Sequence, residues 1–284
     1  LRPDPDLNSP ASGTINPGDR VTEIIRLGSW VKVAVGAKPE EVPKIDMPAE
    51  DVIARIETAK SWMVIKFVNE DKEYRELLES FVEAANLAAG RKRGDCCDLR
   101  GFIFVSSAGS TTPFHLDAEE NILIQIKGDK FVRTFDNADR KLIPEEAMEI
   151  SPSKHRNQHY EEWYETRATL HVLKPGDALH LPYMIPHWVH TGDSYSISMA
   201  MTWKTPEVLR LNKIRLINGT LRRFGMPQHP PGVSPLMDSL KVFTHDTFRA
   251  VIDPLRKSET ARRILRGLIY GRRANYYYDN GVKP

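Results

Sequence analysis

The segment Thr111-Thr112-Pro113-Phe114-His115-Leu116-Asp117 carries a His-x-Asp pair. On a strand, side chains two residues apart share a face, so the His115 imidazole and the Asp117 carboxylate are expected to converge and share one ion. With nine histidines in 284 residues, composition alone supplies about 0.6 such pairs by chance, so the pair is weighed by its surroundings. Farther along, Leu173-Lys174-Pro175-Gly176-Asp177-Ala178-Leu179-His180-Leu181-Pro182 is followed by Tyr183-Met184-Ile185-Pro186-His187-Trp188-Val189-His190. A tight Pro-Gly-Asp turn, a short strand and a second turn would deliver one further imidazole to a wall built from a distant strand.

Two imidazoles and one carboxylate on one face leave three positions of an ion open, the arrangement that non-haem Fe(II) oxygenases use to admit co-substrate and dioxygen. Thr112, His115, Asp117, Asn121, Gln125, Gly128 and Lys130 follow one another at fixed offsets, and the Pro-Gly-Asp, Leu-Pro and Pro-His-Trp-Val segments come after them in order. In these residues the stretch from about Phe102 to Trp203 resembles the cupin-like JmjC family of Fe(II)/2-oxoglutarate-dependent oxygenases, with the look of its asparaginyl-hydroxylase-type members. Demethylase members generally carry Glu where this chain has Asp117, so the resemblance implies hydroxylation rather than demethylation.

The resemblance implies a double-stranded β-helix, or jelly roll, with His115, Asp117 and His187 as metal-holding and catalytic residues. His187 is the match for the distal ligand, and His190 is the competitor that spacing alone does not exclude. The implied cofactors are Fe(II) and the co-substrate 2-oxoglutarate. The co-substrate's far carboxylate would meet the Lys130 ammonium and the Thr112 hydroxyl, with Asn121 adding an amide donor. Ser198, in the last core strand where some hydroxylases carry Asn near the iron, joins this co-substrate set. An inward lysine without a partner is costly, which favours a dianionic ligand there. Two other readings stand beside this one: a non-catalytic cupin-like binding or regulatory protein, and a metal cupin enzyme that does not use 2-oxoglutarate. The primary substrate, whether protein side chain, amino acid or metabolite, is not legible.

The elements that must position these residues read as mainly β with flanking helices. Strand signals cover Gly101–Ser106, Asn121–Ile126, Lys130–Phe135, Thr169–Leu173, Ala178–Leu181 and Tyr195–Met201, punctuated by Lys127-Gly128-Asp129 and Lys174-Pro175-Gly176-Asp177. Many short strands with Gly and Pro turns indicate a sandwich, barrel or jelly roll. Before them, the first twenty residues read as an irregular arm, Ala49 opens a helix, Trp62–Val68 is a buried strand, and Lys72–Ala89 has the three-and-four spacing of an amphipathic helix. After them, residues from Pro206 read as helical up to a Pro-rich break at Pro227–Pro235, with a last helix from about Ser258 to Tyr270. The expected organisation is 1–94 as arm and α/β flank, 95–205 as cupin-like core, and 206–284 as a helical region, which the resemblance makes a candidate homodimer interface. The insert Ser153–Tyr164 is a candidate substrate lid or a solvated connection.

Composition narrows the function classes. Forty basic against 38 acidic residues leave a formal +2, so no global field recruits polyanions, which argues against wholesale nucleic-acid coating. The basic run from Arg256 to Arg273 is local and reads first as a solvated helix face. Hydrophobic residues at 40% and charged residues at 27% describe a folding chain. Adjacent Cys96 and Cys97 are poorly placed to bridge and are expected as free thiols. No apolar run is long enough for a bilayer, and Leu1-Arg2-Pro3-Asp4-Pro5 lacks a signal-peptide core, so a cytoplasmic protein without a membrane partner is expected. The chain opens on Leu1 rather than Met, which leaves a leader upstream open.

Overall fold

The computed structural model describes residues 29–32, 49–58, 62–153 and 157–255. The arm, the helix expected near Ser258–Tyr270 and the basic run Arg256–Arg273 lie outside them. The strands are β1 (Ser29–Lys32), β2 (Trp62–Lys66), β3 (Cys97–Ser106), β4 (Thr111–His115), β5 (Glu120–Lys127), β6 (Lys130–Thr134), β7 (Thr169–Leu173), β8 (Ala178–Leu181), β9 (His187–Thr191) and β10 (Ser196–Lys204). The helices are α1 (Ala49–Ala54), α2 (Lys72–Ala88), α3 (Glu145–Ile150), α4 (Pro206–Arg223) and α5 (Pro235–Leu255). Described residues up to Pro230 form one compact unit, and those from Pro231, with α5, a second.

The strands pair as two antiparallel sheets, β1-β2-β3-β10-β5-β8 and β4-β9-β6-β7, which face each other as a jelly roll. Alternation assigns each strand an inner and an outer face. Leu123 of β5, Val132 of β6, Leu173 of β7, Leu181 of β8, Val189 of β9 and Ala200 of β10 meet in one buried cluster between the sheets. The alternate residues Ile122, Met199, Met201 and Trp203 instead pack outward with Val52 and Ile56 of the α1 segment and Leu78 and Val82 of α2. The larger sheet is therefore covered on both faces, which is why β10 is buried along nearly its whole length.

Local chemistry sets the element ends. Asp71 caps α2, its carboxylate accepting from the Glu73 and Tyr74 amides at 2.9 and 3.2 Å. Thr205 caps α4 directly after β10, with Pro206 in the first helical turn. Gly128, at φ 72°, turns β5 into β6 where a Cβ would strike the Tyr195 carbonyl. The helix α5 begins where the Pro-rich break ends, between the two helical stretches expected from the sequence. It carries exposed Leu236, Leu240, Phe243 and Val251.

Candidate metal centre

Register puts the histidines together. Antiparallel pairing of β4 with β9 matches Thr112 with Val189 and then His115 with His187, so three steps on β4 answer two on β9. This bulge, at Pro113 and Phe114, puts Thr112 and His115 on the same inner face although they are an odd number of residues apart. It is held from outside by fully buried Phe114, which meets Phe135, Tyr160 and Tyr164 edge to face at 5.2, 5.4 and 5.9 Å. The insert contributes to that anchor: Gln158 donates its amide to the Phe114 carbonyl at 2.8 Å, and Tyr160 and Tyr164 are buried.

His190 lies on the opposite face of β9 from His187, stacked on Phe131 at 4.6 Å and bonded to Arg133, so alternation removes it from the ligand set. His180 pairs with Glu120 and stacks on Trp203, and His171 bonds Thr134. Asp117 does not lie on the strand with His115, contrary to the two-residue argument, because β4 ends at His115. Its carboxylate reaches the site from the following loop.

One ligand atom each from His115, Asp117 and His187 lies within 4.8 Å of the others. His115 Nε2 is 3.8 Å from Asp117 Oδ1 and His187 Nε2 is 3.8 Å from Asp117 Oδ2, with the rings 4.2 Å apart. Each imidazole has Nδ1 against a backbone carbonyl two residues earlier, Pro113 at 2.7 Å and Ile185 at 3.0 Å. A proton on each Nδ1 satisfies those carbonyls and turns both Nε2 lone pairs toward the carboxylate. Burial, reinforced by His115 and opposed by Asp117, lowers the His187 imidazole to about 4, so it stays neutral as a ligand must. These donors fit a divalent ion bound on one face. Asn121 donates to Asp117 Oδ2 at 3.3 Å, while its own Oδ1 is buried without a protein partner.

On the same inner face, four residues along β9 from His187, Thr191 pairs with Lys130 of β6. Lys130 is 4% exposed, and its Nζ donates to Ser198 Oγ at 2.5 Å beneath the Phe104 ring. No carboxylate pairs with it among the described residues, and burial lowers its ammonium to about 7. Ser198 in turn donates to Gln125 Oε1 at 2.8 Å, and the Gln125 amide donates to the Lys127 and Gly128 carbonyls and to Ser196. Thr112 shares this inner face through its pairing with Val189, but the hydrogen bond Lys130 makes is to Ser198.

Sequence reasoning missed two neighbours. Gln125, matched as a motif position only, orients Ser198. Glu119 is pushed up to about 7 by burial and by Asp117, against the pull of Lys204 and Arg100. The signal that could have found it is its two-residue spacing from Asp117.

A jelly roll with an inward His-Asp-His cluster that could hold a metal ion has the architecture of a cupin. Residues 37–207 match the cupin-like domain family, and the chain belongs to that family. No curated protein matches the sequence. Among solved structures, the Escherichia coli ribosomal oxygenase YcfD is similar at 14% identity, over 88% of this chain and 63% of that one, with a TM-score of 0.43. The dimethylsulfoniopropionate (DMSP) lyase DddQ of Ruegeria pomeroyi is similar at 18% identity over 38% and 39% of the two chains, with a TM-score of 0.24. The oxalate decarboxylase of Lactobacillus farciminis is similar at 16% identity over 51% and 29%, with a TM-score of 0.29. The chain thus spans less than two thirds of each of these structures.

Proposed function

We propose that this protein is an Fe(II)/2-oxoglutarate-dependent oxygenase of the JmjC type that hydroxylates a protein side chain or a small metabolite. The observation that carries the reading is the buried Lys130 ammonium, which shares an inner face with His115 and His187 and has a serine hydroxyl but, among the described residues, no carboxylate. A buried cation in that setting is costly until an anion completes it, and a dicarboxylic keto acid has one end for a metal and one for a lysine. His115, Asp117 and His187 would hold the metal, and Lys130 with Ser198 would hold the far carboxylate, with Thr112 on the sheet of Lys130 and Asn121 on the sheet of Ser198. The chemistry supplied when both are bound is reduction of dioxygen coupled to oxidative decarboxylation of 2-oxoglutarate to succinate, with one oxygen atom passed to a substrate C–H bond. The chain's own work is to keep both Nε2 atoms unprotonated, fix the carboxylate between them, and exclude water around Lys130.

Anaerobic titration of the Fe(II)-loaded protein with 2-oxoglutarate tests the reading. A saturable visible charge-transfer band, lost on Lys130→Met and on His187→Ala, is the expected result. Iron uptake without a band removes 2-oxoglutarate from the reading, and an Asp117→Ala variant that still decarboxylates it at the unaltered rate removes the ligand assignment.

A further inference from the structure

We infer that Asn212 on α4 is a positioning residue for the metal centre: its side-chain amide, oriented by Tyr183, holds the loop that presents Asp117. The inference rests on the reading of His115, Asp117 and His187 as metal ligands. Of the three, Asp117 alone has no strand register to place it, since His115 and His187 face each other as a β4–β9 pair. What holds its loop is a harness on three successive carbonyls. Leu116 O accepts from Ser151 Oγ, just after α3, at 3.3 Å. Asp117 O accepts from the Met184 amide at 2.9 Å, and Ala118 O accepts from Asn212 Nδ2 at 2.9 Å.

The third bond is set by a second residue. Tyr183 donates its phenol to Asn212 Oδ1 at 2.8 Å, which occupies the oxygen and turns the amide's NH₂ toward Ala118. Tyr183 itself adjoins Met184, which is fully buried at φ 59°, a left-handed conformation that a non-glycine residue keeps only when its surroundings enforce it. The loop that bonds Asp117 is therefore the loop that leads into His187, and α4 is tied to both ligand-bearing segments through one asparagine. A buried asparagine inside a helix is an unfavourable choice unless both ends of its amide are used, as they are here.

Titration of the metal-free full-length chain with Co(II), followed by its visible absorption, tests this without turnover. Asn212→Ala is expected to weaken cobalt binding by about tenfold or more and to alter the ligand-field bands, since groups that orient metal ligands carry effects of that size. Tyr183→Phe, which keeps the ring, is expected to shift both readouts the same way by less. Asn218→Ala serves as the control: it removes a bond to the His229 carbonyl from the same helix and is expected to lower the melting temperature while leaving cobalt affinity unchanged. Unaltered cobalt binding in Asn212→Ala and Tyr183→Phe overturns the inference, as does an Asn218→Ala variant that loses affinity equally. If the unaltered protein takes up no cobalt, the metal reading falls and the harness with it, whereas normal uptake by all variants removes the harness alone.

Discussion

Burial lowers the Lys130 ammonium to about 7 from an ordinary value of 10.5, so at neutral pH the empty site works against the fold. Between about 7 and 10.5 the unfolded chain holds a proton that the folded chain gives up, and stability from this residue therefore rises with pH across that window. Lys130→Met removes the penalty at nearly equal volume. It is expected to raise the melting temperature of the ligand-free protein by on the order of 3 °C at pH 7 while abolishing 2-oxoglutarate binding, with the thermal gain shrinking toward pH 10. Differential scanning fluorimetry across pH reads the first part. An anion beside Lys130 would restore its proton, so calorimetry at pH 8 in buffers of different ionisation enthalpy is expected to show proton uptake, of at most about one per 2-oxoglutarate bound.

At the scale of elements, the bulge in β4 determines which side chains reach the interior. Without the extra step at Pro113 and Phe114, Thr112 and His115 would fall on opposite faces, and only one could share a wall with His187 and Val189. The outward aromatic anchor keeps the bulge in place: Phe114 is fully buried among Phe135, Tyr160 and Tyr164, with Tyr160 also bonded to Glu165. Phe114→Ala is expected to cost about 3–5 kcal/mol in urea denaturation. It is also expected to weaken metal uptake, because His115 is the next residue. The helices act through a similar close fit. At Gly101 of β3, an added Cβ would come within 2.6 Å of Val68 and 2.8 Å of Leu78, so Gly101→Ala is expected to destabilise by about 1–3 kcal/mol through overpacking without changing metal affinity.

For the whole molecule, ligands that converge only in the folded state link metal binding to stability. His115 and Asp117 sit at the end of β4 and in the loop after it, whereas His187 opens β9 far along the chain, so the three donors converge only in the folded protein. Divalent metal at a hundredfold excess over its dissociation constant is expected to stabilise by about 2.7 kcal/mol. Chelator should reverse the gain, and His115→Ala should show none, as read by thermal unfolding with and without Mn(II). Among the described residues no helix is long and apolar enough to cross a membrane, and both cysteines are free.

The sequence by itself determined the β-rich core and the donor types. Alternation and turn residues marked β3, β5, β6, β7, β8 and β10, helical spacing marked α2 and α4, and the His-x-Asp pair with the later Pro-His-Trp-Val segment marked candidate metal donors. These signals are local, carried by residues a few positions apart. Tertiary structure alone decided the rest, because it depends on pairing between distant segments. The β4–β9 register chose His187 over His190, the end of β4 moved Asp117 off the strand, and a bulge carried Thr112 to the inner face. Likewise the pairing of Ser198 with Gln125 and the reach of Asn212 to Ala118 join residues more than seventy positions apart, a separation at which no periodicity or motif spacing can speak.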